Sequence, residues 1–298
     1  MTMDDAAAFA TAESFATALQ LRSGELALSI GRGGTVLVDL PPHLSNAASA
    51  AAPEAGGPNG GYLAALALAA SVEVLGAPQP PRGLSIQFLS SPAFAPMALT
   101  VEVLRAGRSA AFAAFRGRQG ERLRIAGQAS FGAASAEVGF LEAMPDVPPP
   151  EACGDVPLPD GFKPHFTRAI DYRWASRATP FGGDAEPVLK CWMRVKGQPL
   201  DARAACFLLD GIFPSFFMAA DRPHPNVSVD LRVDFTAALD RLEARDDFAL
   251  VVFRTRDWRL GAEGWALDDA ELWSRDGRLL ATARQQRKLL ARPARPAV

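Results

Sequence analysis

The chain has 298 residues, 49% of them apolar, and a formal net charge of −2. That composition supports a sizeable core and excludes wholesale disorder. The near-neutral balance excludes the electrostatic footprint of a protein that binds nucleic acid or an anionic membrane. In chain order, residues 6–19 predict a helix, and Asp4 and Asp5 stand where a signal peptide would be basic, so secretion is not expected. A short strand at 25–30 leads through a loop to residues 56–70, GGPNGGYLAALALAA. The apolar run 62–72 predicts a buried central helix too short to cross a bilayer. Three strands follow, at 83–89, at 98–105 with a continuation at 109–116, and at 122–131. Residues 136–162, rich in proline and acid, read as an extended linker. Beyond it come strands at 167–174 and 188–195, a helix at 201–219, and strands at 227–235, 248–257, 264–273 and 279–288.

The order of elements recurs, and so do residues. Leu84, Ile86 and Phe88 match Leu231, Val233 and Phe235 at a separation of 147. Val103-Leu104-Arg105 matches Val252-Phe253-Arg254 at 149, and Gly120, Leu123, Ala126 and Gln128 match Gly277, Leu280, Ala283 and Gln285 at 157. An internal duplication follows, with repeats at 1–135 and 163–298 joined by the linker 136–162. Each repeat is an α+β unit, a mostly antiparallel sheet with one apolar face covered by its one long helix.

The glycines at 56, 57, 60 and 61 fit neither G-x-G-x-x-G after a strand nor a loop ending in G-K-S or G-K-T, so a phosphate cradle is not expected. Two readings stay open: a flexible loop before a helix, or Gly60 and Gly61 as a first helical turn whose N–H groups a ligand can approach. Such a turn favours negative charge, including the oxyanion of a reacting thioester. Asn59 reads as the N-cap of that helix. Three cysteines, Cys153, Cys191 and Cys206, form neither a disulfide framework nor a metal spacing, and a reducing cytoplasm is the default. His43, His165 and His224 sit beside prolines and read as surface or loop residues, and Arg105 and Arg108 as solvated turn arginines.

The runs NGGYLAALAL, LSIQFL, VLRAGRS and ASF, then FLLD, SVDLRVDF and GRLLATARQQ, together resemble the acyl-CoA thioesterase II family over about residues 15–290. The resemblance implies a double hot-dog fold, two fused repeats each wrapping a sheet round a helix. It also implies hydrolysis of acyl-CoA, as in fatty-acid metabolism, with no cofactor and no metal. The family's catalytic aspartate, threonine and glutamine fall on Asp210, Ser228 and Gln285, which would hold the attacking water. Gly60 and Gly61, or the start of the second helix, would face the oxyanion. Serine in place of threonine keeps the hydroxyl but loses the methyl that fixes its rotamer, and the segment from Asp210 to Ser228 is shorter than the family type. Two rivals stand beside this reading: an acyl-CoA-binding hot-dog protein without turnover, and a hydratase-like enzyme, which would want a histidine at a helix start. Expected partners are acyl-CoA and further copies of the chain in a homo-oligomer, with no nucleic acid and no membrane span.

Overall fold

The computed structural model describes residues 21–22, 33–76, 79–133, 142–158, 160–243, 247–258 and 264–290. The expected helix at 6–19 and strand at 25–30 lie outside them. The first half contains β1 (Leu21–Arg22), β2 (Gly33–Val38), α1 (Gly60–Leu75), β3 (Pro81–Phe88), β4 (Met97–Ala106), β5 (Ala110–Gln119) and β6 (Arg122–Gly132). The second contains β7 (Ile170–Trp174), β8 (Val188–Val195), α2 (Ala202–Leu208), β9 (Asn226–Phe235), the short α3 (Ala237–Asp240), β10 (Ala249–Trp258), β11 (Trp265–Trp273) and β12 (Leu279–Leu289). Two strand expectations in the first half need correction. The continuation at 109–116 is a strand of its own, β5, antiparallel to β4 after a reversal at 107–109. Gly33–Val38, read as part of a loop, is strand β2.

All described strands join one antiparallel sheet in the order β1-β2-β4-β5-β6-β3-β9-β12-β11-β10-β8-β7. The order reads the same from either edge once each strand is replaced by its counterpart in the other half. β3 and β9 form the seam, with Leu84 opposite Val233, Ser85 opposite Arg232 and Ile86 opposite Leu231. Matching Leu84 to Leu231 and Ile86 to Val233 maps these pairs onto one another, so a local two-fold axis passes through the Ser85–Arg232 pair. Leu84, Ile86, Leu231 and Val233 are buried on the inner face.

The register corrects the other two sequence matches. Ala129 pairs with Leu84 as Gln285 pairs with Leu231, so the counterpart of Gln285 is Ala129 and that of Gln128 is Arg284. The turn glycines Gly120 and Gly277 do correspond, both with positive φ, but β12 re-enters its strand one residue sooner. Because side chains alternate, a one-residue slip changes face, and Gln128 is exposed where Gln285 is buried. In β4 and β10 the bulges fall at Val103/Arg105 and Thr255/Asp257, so Thr255 answers to Val103 and the match of Val252 to Val103 is displaced.

The inner face curls over α1, which packs against β2, β3, β4, β5 and β9. Leu63, Leu66 and Leu68 are essentially fully buried, each stabilising the fold by roughly 1.5–3 kcal/mol. The Asn59 side chain caps α1 by accepting from the Tyr62 N–H at 2.9 Å, and Gly76, in the left-handed region at φ 67°, ends it. The second helix is much shorter than the expected 201–219. It is capped by Asp201 and stops at Leu208; Gly211 and Pro214 follow, then a 3-10 turn at Ser215–Met218. A helix cannot continue through Pro214, so the chain turns and leaves Asp210 beside the start of α1.

The described part of the 136–162 segment packs onto the second half. The Trp192 indole N–H donates to the Pro148 carbonyl at 2.8 Å, and Glu151 pairs with Arg275 at 2.6 Å. Further on, Phe166 and His165 donate backbone N–H groups to Ser45 and Ala47 of the first half.

Candidate active site

Asp210, at the end of α2, is 6% exposed. Its Oδ2 accepts from the Gly61 N–H at 2.9 Å and from Asn59 Nδ2 at 3.2 Å. Its Oδ1 accepts from Gln285 Nε2 at 2.9 Å and Arg287 Nη2 at 3.4 Å. All four are donors, the set that satisfies a buried carboxylate. Asn59 Nδ2 also donates to the Asp210 carbonyl at 3.1 Å. Thus the carboxylate of the second half sits at the N-terminus of the first half's helix, where unpaired N–H groups and the helix dipole favour an anion.

The glycines make room for this contact. A Cβ at Gly60 would lie 2.8 Å from Asp210 Oδ2, and one at Gly61 would lie 2.5 Å from the Cys206 carbonyl oxygen. Both distances are below any real Cβ contact, so the close approach of the two helices requires glycine. The expected role of Gly61 therefore changes. Its N–H is directed to Asp210 rather than to an oxyanion, whereas Gly60 lines the adjoining cavity.

Gln285 on β12 points inward and is 2% exposed, while its neighbour Gln286 is exposed. Its Nε2 also donates to Ser228 Oγ at 2.7 Å. Regular alternation would put Ser228 on the outer face of β9 with Asp230 and Arg232. A bulge prevents this: Gln286 pairs with Asp230 but Arg287 with Ser228, leaving Val229 unmatched. The extra residue turns Ser228 inward. The three residues expected from sequence are thus brought together from the end of α2, the start of β9 and the end of β12.

Two further residues belong to the same network and were not anticipated. Arg287, also inward, is 6% exposed and donates to Gln285 Oε1, and through Nη1 to Ser228 Oγ and Asn226 Oδ1, each at 3.4 Å. Its Nε donates to Asp268 Oδ2 at 2.9 Å, and Asp268 Oδ1 accepts from the Thr255 hydroxyl at 2.7 Å. Alternation from Gln285 to Arg287 was the available signal, hidden in the basic run RQQRK.

A cavity of about 950 Å³ opens on Asn59, Gly60, Asp210, Ser228 and Arg287. Leu63 and Phe88 of the first half, Phe166 beyond the linker, and Tyr172, Ile212, Phe213 and Phe217 of the second complete its apolar wall. Phe213 packs between Trp174 and Phe217, with ring centroids 6.0 Å from each. Phe181, also on this wall, holds a left-handed φ of 63°, its N–H bonded to the Phe217 carbonyl at 2.7 Å. Tyr172 donates its hydroxyl to the Gly211 carbonyl at 2.6 Å. Burial pushes that phenol well above its ordinary range, so it stays a donor.

His165 departs from expectation: it is 8% exposed, with Nε2 2.8 Å from the Ala51 carbonyl. Arg105 and Arg108 are exposed and line no part of this cavity. Burial raises the thiols of Cys191 and Cys206 far above their usual range, which leaves them poor nucleophiles. Among the described residues no group of three or more His, Cys, Asp or Glu forms a metal-binding cluster, and no helix is long and apolar enough to cross a membrane.

Residues 48–132 match the family model of the acyl-CoA thioesterase N-terminal domain, and residues 150–287 that of the C-terminal domain. A conserved protein of unknown function with a hot-dog fold from Alicyclobacillus acidocaldarius is similar at 26% identity and a TM-score of 0.77, over 94% of this chain and 98% of that one. Acyl-CoA thioesterase II TesB2 from Mycobacterium marinum is similar at 20% identity and a TM-score of 0.70, over 94% of this chain and 99% of that one. The tesB protein of Mycobacterium avium subs paratuberculosis gives 20% and 0.70, over 93% and 98%. No curated protein matches the chain. The architecture is that of a double hot-dog.

Proposed function

The chain belongs to the acyl-CoA thioesterase family, whose two domain models it matches in order, and from that membership we propose that it hydrolyses an acyl-CoA thioester to the free acid and CoA. Water lies between Asp210 and Ser228 and attacks the thioester carbonyl carbon. Asp210 orients the water and takes its proton, and Gln285 holds both side chains in place. The oxyanion forms near the first turn of α1, where Gly60 gives close access to backbone N–H. Collapse breaks the C–S bond, and the proton passes to the departing thiolate. The acyl group lies along the aromatic wall. The observation that carries this reading is the convergence of Asp210 and Ser228, which line one cavity, on the Gln285 amide within hydrogen-bond distance of both.

The test is release of free CoA thiol from acyl-CoAs of increasing chain length, with wild type and Asp210→Asn. The expected result is activity that falls at least about 100-fold in the variant while it remains folded. Activity that survives the substitution removes the site assignment but leaves the reaction. No release from any acyl-CoA removes the enzyme. One observation favours a second reading, binding without turnover: Gln285 and Arg287 already occupy Asp210 Oδ1. Weak hydrolysis with tight, acyl-dependent binding would select it.

The same reading places the protein in the cytoplasm, on fatty acyl thioesters, as a homo-oligomer. Pairing of a second copy along the sheet would supply the contact, and sedimentation equilibrium would reveal a monomer if that is wrong.

A further inference from the structure

We propose that Arg287, anchored by Asp268, is a positioning residue that sets the orientation of the Gln285 amide and, through it, the direction of the Ser228 hydroxyl. The inference rests on the hydrolytic reading above and adds a residue to it.

A glutamine amide has two orientations of nearly equal shape, and only its partners choose between them. In one, Nε2 faces Asp210 and Ser228; in the other, the carbonyl oxygen faces the Asp210 carboxylate. Arg287 carries donors only. Its Nη2 donates to Gln285 Oε1, which commits Nε2 to Asp210 Oδ1 at 2.9 Å and Ser228 Oγ at 2.7 Å. Ser228 Oγ also accepts from Arg287 Nη1 at 3.4 Å. With two donors on its oxygen, the Ser228 hydroxyl directs its own hydrogen to the cavity that it lines. Ser228 therefore donates to the reacting water or carbonyl.

Arg287 is fixed in turn. Asp268, 1% exposed, accepts its Nε at 2.9 Å and the Thr255 hydroxyl at 2.7 Å. Because Thr255 gives its hydrogen to Asp268, Ser215 must donate in the 2.8 Å contact between Ser215 and Thr255. Asp210 and Ser215 bracket the loop that carries Ile212 and Phe213 into the cavity. One network thus holds both ends of that loop, and Arg287 joins its two branches.

The experiment compares CoA release by wild type, Arg287→Lys, Arg287→Met and the paired variant Arg287→Met with Asp268→Leu, each with and without Gln285→Leu. The paired variant removes Asp268 together with Arg287, so Asp268 is not left unpaired if Arg287→Met fails to fold, and Asp210 keeps its bonds from Gly61 and Asn59. Expected are a fall in kcat of about 30-fold with KM little changed, a partial recovery with lysine, and near-complete loss of the Gln285→Leu effect in the paired background, as groups in one hydrogen-bond network couple. A Gln285→Leu effect that is equally large in both backgrounds overturns the inference, because Arg287 would then act independently of Gln285. So does an unchanged kcat in the paired variant. A wild type that releases no CoA overturns the hydrolytic reading itself, which separates the two failures.

Discussion

The two halves share a topology and differ in what they place on its inner face. In the second half the inner positions hold Asp210, Ser228, Thr255, Asp268, Gln285 and Arg287. Strand register and helix caps give their counterparts in the first half as Leu68, Pro81, Val103, Ala113, Ala129 and Phe131. Even the bulge recurs: Arg82 is skipped between Pro81 and Gly83 as Val229 is skipped beside Ser228. The helix starts differ the other way. Gly60 and Gly61 open α1 to a carboxylate, whereas α2 begins with Asp201 capping its own helix and pairing with Arg203 at 2.6 Å. Each half supplies what the other lacks, a helix N-terminus from one and a polar network from the other. The fold is doubled; among the described residues the buried polar network stands once.

The strongest way to break that comparison is to treat both halves alike. Asp210→Asn is expected to cost at least about 100-fold in kcat/KM. Leu68→Asn, at the matching place, should leave kcat/KM within about two-fold while costing about 3 kcal/mol of stability, since it buries an unpaired amide. Thioester turnover and urea unfolding of both variants decide it, and a large loss of turnover in folded Leu68→Asn would mean that the two places are not independent. Next, Arg287→Met should destabilise by about 3–5 kcal/mol because Asp268 is left charged and buried, and adding Asp268→Leu should recover most of that, since the first half fills these places with apolar side chains. Urea titration of the single and paired variants measures the difference.

Smaller effects sharpen the contrast at the helix starts. Gly61→Ala meets the Cys206 carbonyl at 2.5 Å and should cost about 1–3 kcal/mol. Arg203→Ala, its counterpart, loses only an exposed ion pair and should cost under about 1 kcal/mol. Thermal melts of the two would suffice. The smallest effect lies on the outer face, where Asp269 bridges Arg256 and Arg284 at 2.7 and 2.8 Å and the first half has Leu104, Ala114 and Gln128. Partial burial pushes the Asp269 carboxyl up, but hydrogen bonds and charge from Arg284 and Arg256 outweigh it and hold it below the usual range. A lowered folded value stabilises fully above the unfolded pKa of about 3.9, and that contribution disappears as pH falls through the folded one. Asp269→Asn should therefore melt slightly below wild type at pH 7, with the gap closing as pH falls through the lowered folded value.

Much of this was legible in the chain, for reasons that can be named. The 147-residue match marks the seam, where Leu84 and Ile86 face their own counterparts across an axis, so both strands met the same packing constraint. The match at 157 followed the turn glycines Gly120 and Gly277, which fix a hairpin but not the residues after it. Asp210 stood out as a carboxylate after an apolar run. Ser228 could be placed by motif but not by alternation, because no local signal announces the bulge. Arg287 and Asp268 carried no signal of their own, since burial of an ion pair depends on strands that meet only in the folded sheet. The expected helix over 201–219 stops at Leu208, because the chain cannot stay helical through Pro214.

The seam also sets a schedule. β3 is complete at Phe88, but its partner β9 does not begin until Asn226, roughly 7–28 s later at typical rates of about 5–20 residues per second. For that interval the first half has an open strand edge, and a neighbouring nascent chain on the same message presents an identical one. Self-pairing of two β3 strands would satisfy the same antiparallel geometry as β3 with β9, so the step most exposed to error during synthesis is the choice between one's own second half and a stranger's first.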